Sequence, residues 1–239
     1  MSFSEFYKKQ QFQTNIFSLF LNPFFIIRNS LYKSIKKNAS RLNGKMLDFG
    51  CGSKPYKNLF INIAEYIGLD VENEGHSHKN EDVDIFYNGK NIPFENEYFD
   101  SLFSSEVLEH IFDIDESLNE IYRVLKKDAL ALFTVPFAWN EHEIPNDFGR
   151  YTSFGIKHIF EKHNFEIIEY NKTSHFAAVI AQYWILYIFE LLAPKNKYLK
   201  IVFNILIISP FTILGIILSF ILPKNKSLFF NNVILVKKA

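Results

Sequence analysis

The segment that most constrains the fold is Met46-Leu47-Asp48-Phe49-Gly50-Cys51-Gly52-Ser53-Lys54-Pro55-Tyr56. Met46–Phe49 reads as a short buried strand that runs into a Gly-x-Gly turn, and Pro55 reads as the opening of a helix. Glycine is required there because the backbone turns tightly and lets a ligand approach closely. The next strand, Tyr66–Asp70, ends on a carboxylate. In a doubly wound sheet these two strand ends are neighbours, and a carboxylate there can accept both ribose hydroxyls of an adenosine. A dinucleotide fingerprint needs glycine at position 55; proline there removes an N–H that a pyrophosphate would use. A nicotinamide dinucleotide is therefore disfavoured.

From residue 45 to 172 short apolar runs alternate with amphipathic stretches, which implies a largely parallel sheet. Further strands are expected at Asp82–Tyr87, Asp100–Ser104, Ala129–Pro136, Phe165–Tyr170 and Asn232–Val236. Helices are expected from about Ser105 to Leu125 and at Phe154–His163. The predicted class is α/β, a Rossmann-like seven-stranded sheet with helices on both faces and an apolar helical insertion between strands six and seven. The corresponding division is 1–44 as an N-terminal helical segment, 45–175 with 229–239 as the ligand-binding domain, and 176–228 as the insertion. The apolar stretch Ile16–Ile27 is interrupted by Asn22 and Pro23 and lacks a small-residue cleavage site, so it reads as a helix covering one sheet edge rather than a signal peptide.

Lys+Arg and Asp+Glu both number 26, a balance without the basic footprint of a nucleic-acid binder. The single cysteine, Cys51, excludes an internal disulfide and fits a reducing compartment. No Cys/His cluster has zinc spacing.

Several segments, in order, resemble the motifs of class I S-adenosylmethionine-dependent methyltransferases of the type 11-like kind. Leu47-Asp48-Phe49-Gly50-Cys51-Gly52 resembles the first motif and Gly68-Leu69-Asp70 the ribose-binding second. Asn91-Ile92-Pro93-Phe94 with Tyr98-Phe99-Asp100 resembles the stretch leading into strand four. Ser104-Ser105-Glu106-Val107-Leu108-Glu109-His110-Ile111 resembles the post-strand-four motif, and Ile121-Tyr122-Arg123-Val124-Leu125-Lys126 the helix before strand five. The resemblance covers about residues 45–170 and the final strand. It implies S-adenosylmethionine as cofactor, with contacts from Asp48, Gly50, Cys51, Gly52, Asp70, Asn88 and Ser105. Lys54 stands where many members carry a third glycine. Asn88 stands where an aspartate often meets the adenine amino group, and its carbonyl can accept the same bond.

Methyl transfer rests largely on positioning, joined by a general base where the acceptor is a hydroxyl. On a helix, Glu106, Glu109 and His110 would share one face. A second cluster, Asn140-Glu141-His142-Glu143 with Asp147, Arg150 and Tyr151, follows strand five. His110 and His142 are the candidate catalytic residues, and Arg150 and Tyr151 the candidate substrate holders. The reading carries no metal; the alternative to it is a divalent ion on Glu106, Glu109 and His110, with His142 as a further ligand.

Residues 176–223 are strongly apolar. Ala177–Ala193 contains Gln182 and Glu190, and the charge-free Ile201–Leu222 is long enough to span a bilayer although Pro210 and Gly215 interrupt it. Lys195, Lys197 and Lys200 precede it and Lys224 and Lys226 follow, placing both ends on the cytoplasmic side. A return of the chain to strand seven then calls for a re-entrant hairpin bent at Pro210 or for helices lying in the interface. A lid over the substrate or a dimer interface are the alternatives. The segment His142-Glu143-Ile144-Pro145-Asn146-Asp147-Phe148-Gly149-Arg150-Tyr151-Thr152 resembles methyltransferases associated with surface-polysaccharide or lipid-linked sugar synthesis. The expected function is O-methylation of a small-molecule, glycan or lipid-linked acceptor at the inner face of the membrane. A catalytically silent cofactor-binding scaffold is the alternative.

Overall fold

A computed structural model describes residues 3–71 and 82–239. The chain forms two compact units, one of residues up to Ser34 with Lys172–Phe230, the other of Ile35–Asn171 with Asn231–Ala239.

The second unit is a seven-stranded sheet: β1 (Gly44–Phe49), β2 (Ile63–Val71), β3 (Ile85–Tyr87), β4 (Phe99–Ser105), β5 (Leu125–Pro136), β6 (Phe165–Lys172) and β7 (Asn231–Lys238). Their order is β3-β2-β1-β4-β5-β7-β6. β1 to β5 pair in parallel, and β7 runs antiparallel to β5 with Leu130 opposite Lys237 and Pro136 opposite Asn231. The central strands are apolar on both faces, as parallel strands must be when both faces are covered: Leu47, Phe49, Leu102, Phe133 and Val135 are buried on one face, and Met46, Phe103 and Leu132 on the other. The topology reverses between β1 and β4, so a crevice opens at their carboxyl ends.

Two helices of this unit follow local rules. Helix α4 (Ile114–Val124) starts at Asp113, whose side chain accepts the N–H of Glu116 at 3.2 Å, and buries Leu118, Ile121 and Val124. Helix α5 (Ser153–Lys162) is capped by Thr152 on the N–H of Gly155 at 3.1 Å and buries Ile156 and Phe160.

Two expected helices are corrected. The chain after Pro55 forms only a 3₁₀ turn, Lys57–Leu59. Ile63 pairs beside Gly44, so Gly50–Asn62 must return along the whole of β1. Six strand residues span roughly 20 Å, and a helix opening at Pro55 and rising about 1.5 Å per residue would cover only about 12 Å by Asn62. The helix expected from Ser105 begins only at Ile114. Glu106 is left-handed (φ 56°) and Val107 is neither helical nor extended (φ −129°, ψ −41°), followed by a 3₁₀ turn at Leu108–His110.

The other unit is helical: α1 (Phe3–Phe12), α2 (Ser18–Leu21), the start of α3 (Phe25–Ala39), α6 (Phe176–Leu192) and α7 (Lys197–Ile221). Buried amides clamp it. Gln182 accepts the N–H of Ile26 at 3.1 Å and donates to the carbonyl of Pro23 at 2.9 Å, satisfying orphan groups at the start of α3. Asn204 donates to the carbonyl of Leu21, and Asn22 to those of Gln10 and Gln11. The single helix expected over Ile16–Ile27 is broken around Asn22–Phe24 into α2 and the start of α3.

The bend expected at Pro210 is also corrected, because α7 runs through it. A π-turn at Asn204–Ile208 lies just upstream and shifts the carbonyl register where proline offers no N–H. The hydroxyls of Ser209 and Thr212 donate to the carbonyls of Ile205 and Ile208. The reversal falls instead between α6 and α7. Those helices touch where a Cβ on Gly215 would stand 2.8 Å from the Cβ of Ala181.

Candidate functional site

A cleft of about 610 Å³ opens at the carboxyl ends of β1, β2 and β4, within the range of small-molecule sites, roughly 300–1,000 Å³. Its floor is the β1 turn. Gly50 (φ 72°) and Gly52 (φ 47°) are both left-handed, and Lys54, standing where the resemblance puts a third glycine in many members, shares that conformation (φ 48°). Asp70 lines the cleft and pins this turn: Oδ2 accepts the N–H of Gly52 at 2.8 Å and Oδ1 that of Val71 at 2.8 Å. Lys54 is buried, and its Nζ meets Asp84 at 2.7 Å. Burial acts to raise Asp84, but the N–H of Gly68 and the Lys54 ammonium hold it below the usual carboxylate range.

The two glycines meet different surroundings. A Cβ on Gly50 would stand 2.4 Å from Val107, whereas one on Gly52 would meet no described atom within 4 Å. The space above Gly52 belongs to the cleft. Gly50→Ala is expected to destabilise the fold by about 2 kcal/mol or more, from overpacking and a left-handed backbone together. Gly52→Ala is expected to cost about 1 kcal/mol in folding and to weaken ligand binding at least tenfold. Thermal melts of both variants beside calorimetry with S-adenosylhomocysteine check this; equal losses of stability would remove the distinction.

Asp48 and Cys51 lie beneath the cleft rather than on its wall. Asp48 is buried and accepts the hydroxyl of Tyr66. Burial pushes its carboxyl up to about 7, with the Tyr66 bond working against the rise. An unfolded aspartate titrates near 3.9. Native protein therefore holds this proton between about pH 4 and 7 while unfolded chain releases it, and stability falls as pH rises through that window. Asp48→Asn keeps an acceptor for Tyr66 and removes the buried charge. It is expected to raise stability at pH 8 by about 2–3 kcal/mol more than at pH 4. Denaturant titrations at both pH values test this, and an equal effect at the two would contradict it.

Asn88 lines the cleft, but its Oδ1 accepts the N–H groups of Lys90 and Asn91 at 3.0 Å each. Its carbonyl is thus held by its own turn, which leaves Nδ2 as the group it can offer a ligand. Ser105 sits at the end of β4, its hydroxyl 2.9 Å from that of Thr134. Glu106 lines the cleft with both oxygens engaged, Oε1 by Thr134 at 2.7 Å and Oε2 by Asn231 at 2.7 Å.

The second half of the site is built after β5. Arg150 fills a loop with all of its guanidinium donors: Nε to Trp139 O, Nη1 to Asp147 and Gly149 O, Nη2 to Asp147 and Asn140 O. It clamps the loop in place of the substrate contact read from the sequence. Tyr151 is partly buried against the hydrophobic core, and its backbone carbonyl accepts from Asn232 at 2.8 Å. The Arg150 fork holds the Asp147 carboxyl down at about 2. Around this clamp the rings of His110 and His142 meet edge to face, centroids 4.8 Å apart. Burial and the neighbouring His110 hold His142 below the usual imidazole range. Glu109 beside them is fully buried, and burial together with Glu106 raises its carboxyl well above the ordinary range. The sequence did not foretell the loop clamp or the isolation of Glu109.

A seven-stranded sheet in this order, a glycine turn under the cleft and a carboxylate near the end of β2 make up the Rossmann-like methyltransferase fold. Residues 47–133 match the family model of the methyltransferase domain, and the chain is a methyltransferase that uses S-adenosylmethionine as methyl donor. Solved structures share the fold at low identity. A chain from the Haloferax volcanii complex of the Trm112 methyltransferase activator with a methyltransferase aligns at a TM-score of 0.55 with 16% identity, covering 89% of this chain and 92% of that one. An S-adenosylmethionine-dependent methyltransferase of Mesorhizobium loti aligns at 0.52 with 9% identity over 87% and 97%. The [4+2]-cyclase SpnF aligns at 0.52 with 16% identity over 87% and 81%. The cyclase shows that the fold by itself does not decide the chemistry. None of the curated proteins matches the chain.

Proposed function

We propose that this methyltransferase acts on an amphiphilic acceptor, a glycan or lipid-linked glycan hydroxyl, at the cytoplasmic face of a membrane. The observation that carries the reading is the rim of the cleft. Phe112 and Ile144 line it while standing 85% and 74% exposed, and Phe148 packs edge to face on Phe112 at 5.4 Å. Apolar groups held open at a cleft mouth suit an acceptor with a hydrophobic part. Asp113, Glu116, Glu143 and Asn146 on the same walls suit sugar hydroxyls.

S-adenosylmethionine supplies an activated methyl group when bound. The open space over Gly52 fits a ligand pressed against the turn. In this reading Asp70 accepts the ribose hydroxyls, the backbone of Gly50–Gly52 flanks the ligand, and the Nδ2 of Asn88 meets the base. His142 is neutral at pH 7 and takes the acceptor hydroxyl's proton, with His110 beside it and the Arg150–Asp147 clamp fixing the loop.

The test is release of S-adenosylhomocysteine by the detergent-purified protein with lipid extracts, with water-soluble glycans, and with neither. Turnover confined to the lipid fraction supports the reading; turnover confined to a soluble acceptor without an apolar part overturns the membrane assignment. Cofactor binding without turnover on any fraction would move the scaffold reading to first place.

A further inference from the structure

We propose that Glu109, His110 and His142 form a binding site for one divalent transition-metal ion on the wall of the cleft. One ligand atom from each of the three lies within 4.8 Å of the others. Two observations beyond that proximity point to an ion.

The first is the state of Glu109. Its side chain is fully buried, and both carboxylate oxygens lack a hydrogen-bond partner among the described residues. The nearest basic atom is Nε2 of His110, 3.8 Å from Oε1 and too far to donate to it. Buried polar side chains are otherwise almost always paired, and an unpaired carboxylate is among the costliest groups to bury. Glu106, by contrast, has a hydrogen-bond partner on each oxygen, Thr134 and Asn231, so its burial is compensated without an ion.

The second is the way both imidazoles are held. Nδ1 of His110 lies 2.6 Å from the carbonyl of Asn146, an acceptor that fixes the proton on Nδ1. Nδ1 of His142 lies 3.3 Å from each of the carbonyl of Asn140, the carboxylate of Asp147 and Nη2 of Arg150; its N–H can donate to either oxygen, whereas Arg150 can only donate to it. His110 therefore carries its proton on Nδ1 and keeps a lone pair on Nε2, and His142 does the same when it donates to Asn140 or Asp147. Metal-binding histidines are oriented in this way, with the distal N–H given to a carbonyl or carboxylate.

Two imidazoles and one carboxylate form a borderline donor set that suits zinc, iron(II) or manganese(II) better than calcium. A spread of 4.8 Å is wider than ligand separations around bonds of about 2.0–2.2 Å, and rotation of the half-buried His142 ring is the motion that closes it. Three protein ligands leave at least one coordination position open. Because His110 lines the cleft, that position is suited to an acceptor oxygen; an ion held there would occupy the His142 lone pair and would take the place of His142 as the group that eases loss of the acceptor's proton.

The experiment uses the full chain in detergent, dialysed against chelator and titrated with Co²⁺ by visible absorption and with Zn²⁺ by competition. Bound metal is measured per chain by atomic emission. One ion per chain is expected, with affinity reduced tenfold or more by Glu109→Gln and by His142→Ala. Glu106→Gln is expected to change it by less than threefold. Glu109→Gln keeps the shape and removes a buried charge, so a cooperative thermal melt separates lost ligation from lost folding. Less than about one-tenth of an ion per chain in the wild type, or a less than tenfold loss in both ligand variants, overturns the site. These readouts do not depend on the acceptor, so the proposal stands or falls apart from the lipid-linked reading.

Discussion

Asp70→Ala is expected to weaken binding of S-adenosylhomocysteine tenfold or more while leaving a cooperatively folded protein. Two effects act together. The carboxylate lines the cleft, where it is the acceptor suited to two ribose hydroxyls. It also holds the glycine turn, accepting the N–H of Gly52 and of Val71 at 2.8 Å each. Hydrogen bonds to a charged group are worth about 1.5–3 kcal/mol, and tenfold in affinity corresponds to about 1.4 kcal/mol. Loss of the ribose bonds alone therefore reaches the expected weakening, and loosening of the turn adds to it. Asp70→Asn separates the two. The amide can still accept from Gly52 but offers the ligand a neutral acceptor, so its affinity is expected between wild type and Asp70→Ala. Calorimetry on the three proteins decides. Wild-type affinity in Asp70→Ala would remove the ribose role, and equal affinities of the two variants would assign the effect to charge rather than to the turn.

This half of the site was legible because its requirements are local. A strand end, glycines that must take left-handed backbone and an acid ending the next strand lie in order along the chain, and the structure sets Gly52 and Asp70 in direct contact. The half after β4 was harder to read. The apolar spacing of Val107, Leu108 and Ile111 imitates a helix, but Val107 instead covers the bare Cα of Gly50, and the helix waits for its cap at Asp113. That packing joins residues far apart in sequence, which no periodicity reveals. Arg150 shows the same limit: a charged loop residue near a site suggests a substrate holder, and only the geometry shows its donors turned to Asp147 and three loop carbonyls. In the helical unit, Gln182 and Asn204 read as dilutions of apolar helices, yet both are buried tethers to the chain around Leu21–Ile27. Composition reports polarity, and only the fold reports whom a polar group faces.

Charge placed on the outer face of α7 is expected to produce the largest change in behaviour. Phe211, Leu214, Ile217 and Leu218 are 42–50% exposed, and Phe220 and Ile221 are 84% and 70% exposed. With Trp184, Tyr187 and Leu191 of α6 they form an apolar surface far beyond scattered surface residues. Burying one such side chain in an apolar medium yields about 1.5–3 kcal/mol. The double variant Ile217→Glu/Phe220→Glu is therefore expected to lower partitioning onto phospholipid vesicles by two orders of magnitude or more. These positions stand clear of the Gln182 and Asn204 tethers and of the Gly215–Ala181 contact, so the unit should fold as before. Lys195, Lys197 and Lys200 lie at the start of α7, and each basic residue near an anionic surface contributes about 1 kcal/mol. Their replacement by glutamine should weaken binding to anionic vesicles at low salt and leave neutral vesicles nearly unaffected. Sedimentation with vesicles of both kinds reads these effects together. If the double variant fails to bind vesicles and the wild type binds them only when anionic, the lysines and the apolar face act as one lipid-docking surface. If vesicle binding is absent in both and the double variant turns a wild-type dimer into a monomer, the occupant of the face is a second copy of the chain, and an acceptor at the membrane loses its physical support.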